Sequence, residues 1–579
     1  MKFGVLAVDY DGTIAQDGVL DPSVRAAILE ARARGIVVVL VTGRILRELR
    51  RVAGELDWLD AVVAENGAVL TFPTSGRSAV LGPPPPPRFL DELARRGIPF
   101  KSGECVVECD ATHAPALLEV IRALELPLSL AFNRGRVMVL PQSISKSTGL
   151  REALASLRLS VHNAIAIGDA ENDHELLAAC EIGVAVEWGS AALKEAADEV
   201  LPGEGPAAVA GYIRRVAAEP RLSPERSGRR RILLGYGLDG SPLSLAVRGR
   251  NILVAGDPRS GKSWVSGLLC EQMILRRYCM CIMDPEGDYR PLEALPGVQV
   301  LGGGEQPPRP HELARALRHP DVSLVVDLSQ VPHRARVSYL RVLLPALVAL
   351  RRRTGLPHRI VVDEAHYFLH QSDTGTLLDM KLHGYTLISY RPSNLHPEVL
   401  AASEAILVTR ITDPAEVDAI VRTCGQGRCD GSCRALFEDL SVGEAVVMSG
   451  THGDGCTAQR IRLAPRLTSH VRHRAKYLDV PVPEAQAFMF SSDRHGPAGS
   501  PARTLKEFAR ALLRSSPEVL EDHMRRGDFS RWIAGVFGDH SLASRIRHLE
   551  ERHRMDHILD LNEALVQLIR ERYEVGDGR

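Results

Sequence analysis

Short apolar runs recur along the chain, each closing in a polar or glycine-containing turn, and stretches of helical spacing lie between them. Val5-Leu6-Ala7-Val8 runs into Asp-Tyr-Asp-Gly-Thr, "GIVVVLVTGR" (35–44) ends at Thr42-Gly43-Arg44, and "HNAIAIGDAEND" (162–173) turns at Gly168-Asp169. Unbroken apolar runs of this kind belong to strands covered on both faces of a parallel sheet. Between them, "DPSVRAAILEARARG" (21–35) offers Asp21 as an N-cap and Pro22 at the first helical position. The alternation predicts a doubly wound α/β domain over residues 1–202. "GPPPPPR" (82–88) suits neither helix nor central strand and reads as a stiff connector. The short strands and helices after it predict a small inserted cap at about residues 83–140.

From 203 to 231 the chain turns to Gly, Pro, Ala and Arg, ending in "SPERSGRRR", which predicts a linker. A second α/β pattern fills 232–492, "SSDRHGPAGSPAR" (491–503) marks a boundary, and residues 503–579 read as a helical C-terminal module. The fold class expected is therefore multidomain α/β. A length of 579 residues is too much for one core and fits three or four domains. Composition narrows the setting further. Hydrophobic content of 45% with 25% charged residues is that of a globular protein, and no apolar run reaches the ~20 residues that span a bilayer. With no signal-peptide pattern and ten scattered cysteines, reduced thiols and a cytoplasmic setting away from membranes are expected. A net charge of −1 gives no general attraction to nucleic acid.

Two aspartates, Asp9 and Asp11, stand where the first strand stops. Asp-Gly is ordinary turn chemistry, and a turn is one reading of them. The other reading needs partners, and three further segments supply them: Thr42 after its strand, Lys146 ahead of the helix in "QSISKSTGLREALASL", and Asp169 with Asn172 and Asp173. Ligands in open α/β sheets gather beyond the carboxyl ends of the strands, so these segments can converge. The residue types fit phosphoryl transfer through an aspartyl-phosphate. Asp9 would be the nucleophile and Asp11 the acid, then base, at the leaving oxygen. Thr42 and Lys146 would hold the phosphoryl oxygens, while Asp9, the Asp11 carbonyl and Asp169 would offer Mg²⁺ hard oxygen ligands. DxDGT, TGR, a spaced lysine and GDxxND, in that order, resemble the haloacid dehalogenase (HAD) phosphatase superfamily over about residues 1–215. "ENGA" (Glu65–Ala68) and "AADEV" (196–200) resemble its Cof-type, sugar- or glycolate-phosphatase branch. The resemblance implies a Rossmann-like HAD domain with an inserted cap, a phosphorylated substrate, and catalytic places for Asn172 and Asp173.

A second motif follows. "NILVAGDPRSGKSWVSGLL" (251–269) reads as strand, glycine-rich loop and helix, with GxxxxGK[ST] running from Gly256 through Ser260 to Gly261-Lys262-Ser263. Loop amides would cradle phosphates, Lys262 would reach the β/γ oxygens of ATP, and Ser263 would bind Mg²⁺. In "HRIVVDEAHYFL" (358–369), Asp363 would hold the metal's water shell and Glu364 would polarise the attacking water. Together with "IMDPEGDY" (282–289), "LVVDLS" (324–329) and "GYTLISYRPSNL" (384–395), these segments resemble the HerA/FtsK class of ring-forming P-loop ATPases over about 232–470. That resemblance implies a RecA-like ATPase domain and a homo-hexamer. Tyr390 departs from it, standing where a glutamine commonly precedes Arg-Pro-Ser. Arg391 is either a sensor or trans-acting arginine, or surface packing. Cys424, Cys429, Cys433 and Cys456 either bind a metal or are reduced thiols, and their spacing does not match a double CxxC. The basic run "RLTSHVRHRAKY" (466–477) either meets phosphates or a neighbouring subunit, or is a solvated face.

The function expected is a bifunctional hydrolase: a Mg²⁺-dependent phosphatase joined to an oligomeric ATP-hydrolysing motor domain. The alternatives are a DNA translocase whose head trims phosphorylated ends, and a metabolite phosphatase with a regulatory nucleotide-binding scaffold.

Overall fold

A computed structural model describes residues 3–219, 230–246, 250–370, 377–423, 436–437, 440, 441–449, 457–468, 481–482, 484–492, 496–497, 501–537, 540–555 and 560–573. The chain divides into two compact units, Met1–His470 and Val471–Arg579. The four cysteines of the spacing above, and Arg472 and Arg474 of the basic run, lie outside the described residues.

The first unit opens with β1 (Val5–Val8), α1 (Pro22–Ala33), β2 (Val37–Val41), β3 (Ala61–Ala64), β4 (Val69–Phe72) and β5 (Arg77–Val80). Asp21 caps α1 by accepting the Ser23 N–H, with Pro22 inside the first turn. The cap strands β6 (Lys101–Ser102), β7 (Val107–Asp110), β8 (Leu128–Asn133) and β9 (Arg136–Pro141) come next. The chain then returns with α2 (Lys146–Ser156), β10 (Ala164–Gly168), β11 (Ile182–Val186), β12 (Glu199–Leu201) and α3 (Gly205–Ala218). The main sheet has the order β12-β11-β10-β1-β2-β3-β4-β5. It is parallel from β12 to β3, and β4 and β5 return antiparallel. Its central strands β1, β2, β3, β10 and β11 are buried on both faces, as their unbroken apolar runs require, whereas the edge strand β5 is exposed. The cap is an antiparallel sheet, β8-β9-β7-β6, over its own core of Phe89, Leu93, Leu117, Val120 and Val137.

The rest of this unit carries β13 (Arg231–Gly237), β14 (Pro242–Ala246), β15 (Ile252–Ala255), α4 (Lys262–Leu275), β16 (Met280–Asp284), β17 (Val298–Gly302) and β18 (Ser323–Asp327). α5 (His333–Thr354), β19 (Arg359–Val362), β20 (Tyr385–Ser389), β21 (Ala405–Val408), β22 (Glu444–Ser449) and β23 (Thr457–Leu463) complete it. The sheet order is β14-β13-β23-β22-β21-β15-β20-β19-β16-β18-β17, parallel from β21 to β17. β20 therefore separates the strand leading into the glycine-rich loop from the one ending at Asp363.

The two sheets of this unit meet at the amino ends of their strands. His162 and Asn163, just ahead of β10, face Tyr278 and His358, just ahead of β16 and β19. The Tyr278 hydroxyl donates to Glu181 at 3.0 Å, and His162 Nδ1 lies 2.9 Å from the same carboxylate. His358 Nε2 lies 3.2 Å from Asn163 Oδ1. This buried polar seam lies at the strand ends opposite those that carry the motifs. Among the described residues no helix is long and apolar enough to cross a membrane.

The second unit is helical, with Leu505–Arg514, Pro517–Arg526, Asp528–Trp532, His540–Met555 and Leu561–Tyr573. Phe508, Phe529 and Trp532 form its core, and Phe488 and Phe490 pack into it from upstream.

Candidate active site

At the carboxyl end of the first sheet, Lys146 is the centre. It is the first residue of α2, whose Ser145 caps the helix by accepting the Thr148 N–H. Its Nζ donates to Asp9 Oδ1 at 2.5 Å and to Asp173 Oδ1 at 2.6 Å, all three groups being buried. Asp9, Asp169 and Asp173 each offer an oxygen within 4.8 Å of the others. The second oxygen of Asp173 accepts the N–H groups of Asp169 and Ala170, which fixes the turn after β10. Thr13 donates to Asp169 Oδ1 at 2.9 Å.

Charge repulsion and desolvation set the electrostatics here. Burial pushes Asp9 well above the ordinary carboxylate range; Lys146 opposes this and the neighbouring Asp173 and Asp169 add to it. Burial and Asp173 likewise raise Asp169, against Arg134. For Lys146, burial alone would lower the pKa, but Asp173 and Asp9 outweigh it and leave the ammonium favoured. Three converging buried carboxylates beside one lysine are a donor set suited to a hard divalent cation.

The other expected residues are distributed around this centre. Thr42 is buried, its hydroxyl accepting the Arg44 N–H at 3.2 Å. Asn172 donates to Asn66 at 3.2 Å, bringing the "ENGA" turn to the site. The Asp11 carboxylate is not one of the clustered oxygens and accepts two bonds of 2.6 Å from Arg44. Gly12 takes φ +81°, and a side chain there would run into Asp169 and Arg134. Arg134 itself had no sequence signal. It sits at the β8–β9 hairpin tip of the cap and reaches Asp169 Oδ2. Thr13, inside DxDGT, is a further site residue that the motif does not single out. The cap is fastened on another side by Glu65, whose carboxylate accepts the N–H groups of Glu104, Cys105 and Val106.

A second candidate site lies at the carboxyl end of the other sheet. Gly261 takes φ +105° ahead of α4. Lys262 Nζ donates to the Asp257 carbonyl at 2.9 Å, and the Ser263 hydroxyl to Asp288 Oδ2 at 2.7 Å. Ser260 and Thr409 share a hydroxyl–hydroxyl bond of 2.5 Å beside Gly256. Asp284, at the end of β16, accepts the N–H groups of Gly287, Asp288 and Tyr289, and burial raises its pKa to about 7. Asp363 and Glu364 are buried at the end of β19, with Glu364 in a left-handed conformation, φ 49°. Tyr390 lies over this site, its ring centroid 6.0 Å from Lys262 Nζ, while Arg391 is exposed with its guanidinium 5.5 Å from the same ring. Asp288, inside "IMDPEGDY", is a further residue here that no motif singles out.

The first site gathers carboxylates, a lysine and a threonine at parallel strand ends. The sequence model of the family described as haloacid dehalogenase-like hydrolase matches residues 6–77 and 122–213. A phosphoglycolate phosphatase of Methanosarcina acetivorans is 31% identical over 210 residues, covering 34% of this chain and 90% of that protein. Another, of Archaeoglobus fulgidus, is 29% identical over 213 residues, covering 34% and 92%. A solved haloacid dehalogenase-like hydrolase from Bacteroides thetaiotaomicron aligns with TM-score 0.34 at 18% identity, covering 37% of this chain and 100% of that one. The chain belongs to the haloacid dehalogenase-like hydrolases, and its N-terminal portion is a phosphatase of that family.

Proposed function

We propose that the chain hydrolyses a small phosphate monoester through an aspartyl-phosphate on Asp9, in a domain of residues 1–202. The observation that carries this reading is Lys146, bonded at once to Asp9 and Asp173 at the strand ends. Asp9 attacks phosphorus while Asp11 gives a proton to the leaving oxygen, and Asp11 then takes a proton from the water that breaks the acyl phosphate. Thr42 and Lys146 hold the phosphoryl oxygens, and Asn172 positions that face of the site. Asp9, Asp169 and the Asp11 carbonyl would hold Mg²⁺, with Asp173 supporting them; when bound, the metal supplies charge that lets a carboxylate approach an anionic phosphate. The names of the phosphoglycolate phosphatases support a short phosphorylated hydroxy acid as substrate. Phosphate release from 2-phosphoglycolate, sugar phosphates and phosphorylated DNA ends, with and without Mg²⁺, tests the reading. Equal release by wild type and Asp9→Asn would end it.

For residues 232–492 a second reading is supported by the strand order, in which β20 lies between the glycine-rich-loop strand and the Asp363 strand. In this reading Gly256, Ser260, Gly261, Lys262 and Ser263 cradle ATP, Asp363 holds the metal's water shell, Glu364 polarises the water and Arg391 meets developing charge. A hexameric ring of HerA/FtsK type follows, since phosphoryl transfer needs a further cation that a neighbour would bring. Duplex DNA is the partner under the translocase alternative, and stimulation of ATP hydrolysis by DNA decides between that and a regulatory scaffold. Mass measurement of Glu364→Gln with ATP tests the ring; a monomer at micromolar concentration would remove it.

A further inference from the structure

Besides its bond to Asp169, Arg134 has a geometry the phosphatase chemistry above leaves unused. It stands on the Asn133-Arg134-Gly135 tip between β8 and β9, its backbone in the left-handed region (φ 52°). The Arg134 N–H donates to Glu171 at 3.1 Å, so the tip is tied to the turn that carries the metal-type carboxylates. The guanidinium lies across Gly12 and touches Asp169 through one nitrogen, Nη2. Its side chain is nonetheless 59% exposed, and its ion pair with Asp169 uses Nη2 alone, so the Nε and Nη1 donors remain for a ligand. The other described cap cations near the core are engaged elsewhere: Lys101 with Glu48 at 3.0 Å and Arg136 with Glu108. On another side, a side chain on Gly43 would meet the Met138 sulfur and the Asn172 amide.

We propose that Arg134 selects substrates whose leaving group carries a second anion, a carboxylate or another phosphate, by binding that anion with its free guanidinium edge. This rests on the phosphatase reading of the same site. The transferred phosphoryl group is served from the core by Thr42 and Lys146, so a cation carried by the cap faces the other end of the substrate. A planar guanidinium with two adjacent donors matches a carboxylate or phosphate edge, which an uncharged alcohol does not offer.

The test compares the full-length wild type with Arg134→Met and Arg134→Lys on 2-phosphoglycolate, fructose 1,6-bisphosphate and glycerol 1-phosphate. The expected result is that kcat/KM of Arg134→Met falls at least about tenfold more for the anionic substrates than for glycerol 1-phosphate, mainly through KM. Arg134→Lys should recover part of it. Whichever anionic substrate shows the larger selective loss identifies the group read. In the turnover-blocked Asp9→Asn chain, calorimetry should show 2-phosphoglycolate or the bisphosphate binding at least about tenfold more weakly after Arg134→Met. Equal losses on all three esters, or unchanged affinity for both anionic ligands, would overturn the proposal and leave the phosphatase reading standing. No hydrolysis of any ester by wild type would overturn both.

Discussion

The two sites sit at equivalent places, beyond the carboxyl ends of parallel strands, yet their charged groups are held in opposite ways. In the phosphatase half the charged groups hold one another: Lys146 bridges Asp9 and Asp173, and Thr13 ties in Asp169. In the glycine-rich-loop half they hold supporting groups instead, Lys262 on the Asp257 carbonyl and Ser263 on Asp288. The first site is preorganised by buried ion pairs, and its cost is carried by the fold whether or not substrate is present. On the ATP reading proposed above, the second would need its lysine and serine to exchange partners before they could meet phosphate. Substitutions should accordingly damage chemistry and fold together in the first half, and mainly binding in the second.

The sharpest break is Asp9→Asn. An amide cannot form the aspartyl-phosphate, so phosphatase turnover should fall at least about a thousandfold. Binding of a fluorescent ATP analogue should stay at the wild-type level, because Asp9 and Lys262 belong to different sheets. Lys146→Met extends the comparison to stability. It leaves Asp9 and Asp173 buried without their cation, which should cost about 3–5 kcal/mol in urea unfolding at neutral pH. Added Mg²⁺ should return part of that loss if the carboxylates gather a cation, and a variant as stable as wild type would refute the preorganised picture. The counterpart is Lys262→Ala. Analogue binding should be lost while phosphate-ester hydrolysis is unchanged, and the unfolding free energy should fall by about 1 kcal/mol, the worth of one hydrogen bond.

These contrasts also explain what could be seen in the sequence. The buried strands announced themselves by unbroken apolar runs, and the site carboxylates by short motifs at the ends of those runs. Asp9, Thr42, Lys146 and Asp169 are recognisable because each has a local reason to be where it is. Arg134 has none. Its partner is 35 positions away, brought near only when the cap folds down, and "FNRGR" reads as any hairpin tip. Asp288 was hidden for a related reason, since its bond to Ser263 joins two loops from different strands. The seam was the least visible. His162, Glu181, Tyr278 and His358 stand around strand starts, where polar residues normally meet water, and only the packing of one sheet against the other buries them.

That seam supplies the smallest predicted effect, and one specific in sign. His358 Nδ1 accepts the Cys279 N–H at 2.8 Å, so in the neutral ring Nε2 carries the proton and donates to Asn163 Oδ1. A proton on Nδ1 would face that N–H. Burial, with His162 and Arg351 adding to it, holds the His358 pKa well below the usual histidine value. The unfolded chain takes up this proton near pH 6.5, whereas the folded one does so only at lower pH. Stability is therefore complete above about pH 6.5 and falls as pH drops below it, by up to about 1.4 kcal/mol per pH unit from this group until the folded pKa is reached. His358→Gln keeps an acceptor for Cys279 and a donor for Asn163 but cannot titrate. It should lose about 1 kcal/mol at pH 8 and show a shallower decline between pH 6.5 and 5 in urea unfolding. An unchanged slope would show that acid sensitivity comes from elsewhere, and that the two sheets are not joined through a neutral imidazole.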